Sequence, residues 1–129
     1  MATVSSNDAQ ALEVAVFCYN ILELEEDIEV VIKPLVADGY CYSDGLIEIA
    51  DHLEQSDKIM AICHEMVHAK QYESVGVANE EEAYAKELHL QQEYIKQNQK
   101  CELVRYQFLD ELKQAERHFG IDQVVGRGV

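Results

Sequence analysis

Apolar positions along this chain change their spacing twice. Near the start, Leu12, Ala15 or Val16, Tyr19 and Leu22 recur every three to four residues, the period of a helix with one buried stripe. Asn7-Asp8 stands where such a helix takes its cap, so the spacing predicts a first helix from there to about Glu25. The period then shortens to two. Ile28, Val30 and Ile32 share one face of a β-branched run, and Pro34 stops it. Residues 39–42 and 46–50 are apolar runs that flank Ser43-Asp44-Gly45, and Asp-Gly in that setting signals a hairpin.

The helical period returns at Ser56-Asp57, with Ile59, Cys63 and Met66 as its buried stripe, and runs to about Tyr72. Residues 73–78 read as a turn. Asn79 with Glu82 three positions on has the capping-box pattern that opens a further helix. Leu88, Tyr94 or Ile95, Cys101, Val104, Phe108, Leu112, Ala115 and Phe119 continue it, divided by the polar residues 97–100 and stopped by Gly120. The expected fold is therefore α+β: an N-terminal helix, a small three-stranded sheet with a hairpin, a central helix and C-terminal helices. With one proline, six glycines and no repeat, a single domain over 1–129 is expected.

Composition narrows the function classes. The chain is 48% apolar and 27% charged, a globular balance, but its net charge is −15. Phosphate backbones and anionic membranes are repelled, so neither nucleic acid nor membrane is an expected partner. No apolar run approaches the ~20 residues that span a bilayer, and the first eight residues do not read as a secretory signal. Cys18, Cys41, Cys63 and Cys101 lie far apart with no C-x-x-C pair. That argues against a cysteine-built zinc site and for reduced thiols in a cytoplasmic protein, with a Cys41–Cys63 bridge as the alternative.

The candidate chemistry lies in His64-Glu65-Met66-Val67-His68, an H-E-x-x-H on the central helix. Four helical residues turn ~400°, which leaves the two imidazoles ~40° apart and one turn, ~6 Å, along the axis. Both can reach one zinc ion at ~2.0–2.1 Å. Glu65, rotated ~100° from His64, points away from that coordination but can take a proton from a water held there and pass it to a leaving amine. Shuffling a chain of this composition yields the pattern in roughly a few per cent of cases. Its position mid-helix, with apolar Cys63 and Met66 as the neighbours that are not ligands, makes accident a poorer account.

A catalytic zinc needs a third protein ligand. The metzincin extension would require glycine at 71 and histidine at 74, where this chain has Gln71 and Ser74. A glutamate on the following helix is the other solution. Glu80 shares a face with Ala83, Tyr84 and Glu87, and small Ala83 permits close helix approach, so Glu80 is favoured over Glu81 and Glu82. Glu82 is otherwise engaged if the capping box forms. The plain reading of any one of these carboxylates is a helix-start charge that complements the dipole. Tyr72, Tyr84 and His89 are candidate donors to a developing oxyanion. His52 and His118 fit no pattern.

H-E-M-V-H followed by N-E-E-E-A-Y resembles the compact gluzincin-type metallopeptidases, including minigluzincins and small phage-encoded metallopeptidases. The likeness is most specific from about Tyr40 to Glu87. It implies a mini-zincin fold, one zinc per chain on His64, His68 and Glu80, Glu65 as general base and acid, and a peptide or protein substrate. The residue four after the ligand glutamate is commonly a group that orients a histidine; here it is Tyr84, a departure. The resemblance also implies that the strand before the metal helix, Leu46 to Ala50, forms the rim that holds an extended substrate. Two rival readings are a non-catalytic zinc-stabilised interaction module and a regulatory protease with one dedicated partner.

Overall fold

The computed structural model describes residues 2–98. The expected helical positions from Cys101 to Phe119, the stop at Gly120, and His118 lie outside the described residues. The chain divides into two compact units, Met1–Tyr94 and Ile95–Val129, and the architecture below is that of the first. Its elements are β1 (Val4–Ser6), α1 (Ala9–Ile21), β2 (Ile28–Lys33), β3 (Gly39–Cys41), β4 (Leu46–Ala50) and α2 (Gln55–Val75). A third helix, α3, begins at residue 80 and is described to residue 98. The fold is α+β with three helices and a four-stranded mixed sheet, one strand more than expected.

The sheet order is β1-β2-β4-β3. β1 and β4 both pair with β2 in parallel, Val4 beside Ile28 and Val30 beside Ile47, while β3 runs antiparallel to β4 with Tyr40 opposite Glu48. β1 escapes the periodicity because it is three residues long with one apolar position. It is held from outside: Thr3 N–H donates to Asp27 Oδ1 at 2.7 Å. The hairpin between β3 and β4 forms at the expected Asp-Gly. Gly45 has φ +94°, and a Cβ there would meet the Asp27 carbonyl oxygen, so no other residue fits.

Buried Ile28, Val30, Ile47 and Ile49 come from one face of the sheet. α1 and α2 pack against each other and onto the strands. Asp8, not Asn7, caps α1: its carboxylate accepts from Ala11 N–H at 2.9 Å and from Lys58 Nζ at 2.7 Å. Asn7 instead pairs by its amide with both backbone groups of Ile32. The helix ends at Ile21, four residues early, where Glu23 turns left-handed (φ 56°) and Lys70 Nζ holds its carbonyl. Its buried face is Ala11, Val14, Ala15 and Cys18, one position round from the expected stripe, because these small residues allow close approach to α2. α2 buries Ile59, Cys63 and Met66 as expected but continues through Val75 to a left-handed Gly76. Cys18 and Cys63 lie with Sγ atoms 3.7 Å apart as free thiols, so Cys63 neighbours Cys18 rather than Cys41. No described helix is long and apolar enough to cross a membrane.

Candidate metal centre

α2 delivers His64 and His68 one turn apart, their ring centroids separated by 4.7 Å and their planes nearly perpendicular. Each ring is anchored at Nδ1. Glu87 Oε2 accepts from His64 Nδ1 at 2.7 Å, and Gln71 Oε1 accepts from His68 Nδ1 at 2.8 Å. Both Nε2 atoms are thereby turned toward the head of α3. There Asn79 acts as the expected cap, its Oδ1 accepting from Glu82 N–H at 3.1 Å, and fully buried Ala83 lets α3 close on α2. The residue after the cap is Glu80. Its two carboxylate oxygens stand 3.0 Å from His64 Nε2 and 3.2 Å from His68 Nε2.

This trio is the one group among the described residues whose ligand atoms, all within 4.8 Å of one another, could hold a metal ion. The fit has two independent signs. Ligands on one tetrahedral ion at ~2.05 Å lie about 3.3 Å apart, close to the observed contacts. In addition His68 Nε2 is buried with no hydrogen bond, because Glu80 Oε2 is near it without bonding geometry. A buried polar atom left unpartnered is costly. A metal ion held by the trio would supply what it lacks. Partial burial pushes the Glu80 carboxyl up, but the imidazoles of His68 and His64 outweigh this and hold it below its ordinary value. Glu81 is exposed and stands apart from the trio. Glu82 is engaged, but not as the capping box requires: its carboxylate accepts from Gln71 Nε2 at 2.7 Å and pairs with Lys86.

Beside the trio lies a cavity of about 380 Å³. Its walls are Asp38 with Gly39 at the start of β3, α2 from Asp57 to Glu65, and Glu80, Tyr84 and Glu87 of α3. Glu65 faces it, 7% exposed and without a hydrogen bond to any described residue. Burial pushes its carboxyl up, the Glu80 and Glu87 carboxylates add to this, and the two imidazoles oppose it. Gly39 leaves the room that Glu65 occupies, since a Cβ there would stand 3.3 Å from Glu65 Cγ.

Comparison of the chain with protein-family models, curated proteins and solved structures finds no match.

His64, His68, Glu65 and Glu80 are thus brought together as the motif requires. One expectation is corrected. β4 is not a rim, because it is paired on both sides; the edge strand at the cavity is β3. Of the three oxyanion candidates only Tyr84 reaches the cavity, its ring 4.7 Å from that of His64. Tyr72 lines a separate cavity beside Asp27 and Asp44, and His89 is exposed elsewhere on α3. Tyr84 does not orient a histidine; Glu87, one turn further, does. The shared face of Glu80, Ala83, Tyr84 and Glu87 held the signal for Glu87. Nothing in the pattern marked Gln71.

Proposed function

We propose that the chain is a gluzincin-like zinc peptidase, with the ion on His64, His68 and Glu80 and with Glu65 as general base and then general acid. The observation that carries this reading is the convergence of two Nε2 atoms and a carboxylate, one of those nitrogens buried and unpartnered, beside a buried carboxylate that opens onto a cavity. Two imidazoles and one carboxylate are a donor set of catalytic zinc sites. Zinc bound there supplies Lewis-acid polarisation of a carbonyl and a lowered pKa for water.

The chain's own groups do the rest. Glu65 accepts a proton on its carboxylate from the attacking water and delivers it to the leaving amine. Its raised pKa makes the protonated form easier to reach. The substrate is an extended peptide laid along β3. In the β3–β4 register, Ala50 N–H bonds to Asp38 and Tyr42 N–H to Leu46, which turns the backbone groups of Gly39 and Cys41 away from β4. Those groups are free to pair with an added strand. Beyond the metal centre and the Glu87 bonded to His64, the cavity wall carries the carboxylates of Asp38 and Asp57 and no lysine or arginine, so it favours a positively charged substrate side chain there.

The centre is open rather than closed. The Glu80 side chain is 65% exposed and lines the cavity, and the described cysteines take no part in the centre. A purely structural zinc site tends to be closed and sulfur-rich. Substituting Glu65→Gln tests the assignment. Zinc content should stay near one per chain while cleavage of unstructured peptides falls by ~10²–10⁴. Cleavage that survives the substitution removes Glu65 from the chemistry, and wild-type protein that holds no zinc removes the metal centre.

A further inference from the structure

We infer that Gln71 is the positioning residue of the metal centre: one buried amide places the proton of His68 on Nδ1 and grips the backbone immediately before Glu80, so both ligands are presented before an ion arrives. The inference rests on the metal centre proposed above but not on peptide hydrolysis.

The argument begins with groups whose chemistry is unambiguous. A backbone N–H only donates and a backbone carbonyl only accepts. Asn79 N–H lies 2.8 Å from Gln71 Oε1, and Asn79 C=O lies 3.0 Å from Gln71 Nε2. The two contacts together fix which end of the amide is oxygen. The reversed amide would set its NH₂ against Asn79 N–H and its oxygen against both Asn79 C=O and the Glu82 carboxylate. With Oε1 so placed, the ring nitrogen 2.8 Å away must be the donor, and His68 therefore carries hydrogen on Nδ1. In the neutral ring Nε2 is then a bare lone pair, and this is the atom that is buried without a partner beside Glu80. A free histidine side chain in water favours the opposite tautomer.

The second half concerns Glu80. In an ordinary capping box the glutamate three residues on would bond the N–H of the cap residue. Here Gln71 takes that N–H, and Glu82 accepts the remaining amide hydrogen of Gln71 at 2.7 Å. Both donors and both acceptor positions of the amide are used, on a side chain 5% exposed. A residue on α2, three positions after one ligand, thus sets the register of α3 at the residue that precedes the other. His64 is served separately by Glu87.

The test uses the full chain, first stripped of metal at a pH above imidazole titration and read by long-range ¹H–¹⁵N NMR of the histidine rings. Wild-type His68 should show hydrogen on Nδ1 with no ion present. Gln71→Met, apolar and similar in length, should shift His68 toward the Nε2–H form and weaken zinc binding by about 10–100-fold. Gln71→Glu keeps the acceptor for His68 and Asn79 N–H but loses both donors. It should retain the Nδ1–H tautomer and bind zinc more tightly than the methionine variant, although its helix start is less stable. Should the methionine variant not fold, the wild-type tautomer and the glutamate variant still decide. An Nε2–H tautomer in metal-free wild type overturns the inference, as does a folded Gln71→Met chain with undiminished zinc affinity. Wild-type protein that takes up no zinc overturns it together with the metal centre. Protein that binds zinc with the expected tautomer but cleaves no peptide supports it and removes only the peptidase reading.

Discussion

Gly39 offers a direct test of how the fold holds the Glu65 carboxylate, the proposed general base. Replacing it with alanine places a Cβ 2.9 Å from Ile49 Cδ1, 3.0 Å from the Glu48 carbonyl oxygen and 3.3 Å from Glu65 Cγ. Ile49 is fully buried and its methyl has little room to turn. The Glu48 oxygen is backbone of β4, a strand paired on both sides. The three-residue edge strand β3 and the Glu65 side chain must therefore give way. Overpacking of this kind costs about 1–3 kcal/mol, and each kcal/mol lowers the Tm of a unit this size by roughly 4–8 °C. None of the contacted atoms belongs to a proposed metal ligand or to the groups that hold one, so zinc affinity should be unchanged. Turnover should fall ~10–100-fold, because a catalytic group displaced by about 1 Å can cost 10² in rate. Gly76→Ala is the matched control. Its φ of +82° makes alanine strained by about 1–2 kcal/mol, yet nothing lies within 4 Å of its Cβ position. It should lose similar stability and keep its turnover. Thermal melts, zinc titration and peptide cleavage on both variants separate the effects. Full turnover in Gly39→Ala despite a lowered Tm would refute the claim that the missing side chain positions Glu65.

Three further expectations follow from the same geometry. Zinc at a hundredfold excess over its Kd adds ~2.7 kcal/mol to folding, a rise in Tm of about 10 °C or more for a unit this size; a chelator should reverse it, and Glu80→Ala should show no zinc-dependent rise. Asp8 has its carboxyl held below the ordinary value by Lys58 and by Ala11 N–H. Its contribution is thus present above the ordinary carboxylate pKa of about 3.9 and is lost as pH falls through the lower folded value. Asp8→Ala should cost ~1 kcal/mol in urea unfolding at neutral pH, and its gap to wild type should narrow below that range; a gap constant with pH would show that the charge is immaterial. Matched peptides with lysine beside the scissile bond should be cleaved about tenfold faster than those with glutamate, from ~1 kcal/mol per exposed charge contact. Paired Asp38→Asn and Asp57→Asn substitutions should shrink that ratio more than Glu26→Gln with Glu29→Gln, which change the net charge equally; equal effects would assign the preference to net charge rather than to the cavity.

Local chemistry sufficed for much of this protein. Asp44-Gly45 determined the hairpin, because glycine takes the left-handed turn, φ +94°, at no steric cost. The spacing of Ile59, Cys63 and Met66 identified the inner face of α2, and four-residue spacing put His64 and His68 on one side of it with Glu65 turned toward the cavity. Asn79 marked the start of α3, and the facing argument selected Glu80 from three adjacent glutamates. What the order of residues left open were contacts between elements distant in the chain. β1 exists because β2 and Asp27 complete its hydrogen bonds, not because of its own three residues. The stripe of α1 is rotated because packing against α2 rewards small side chains over larger ones one position away. β3 rather than β4 lies at the cavity because β4 pairs in parallel with β2, a choice that alternation cannot express. The clearest case is Gln71, an unremarkable polar residue by sequence. Its part in the site comes from a backbone eight residues on that only the turn between α2 and α3 carries back to it.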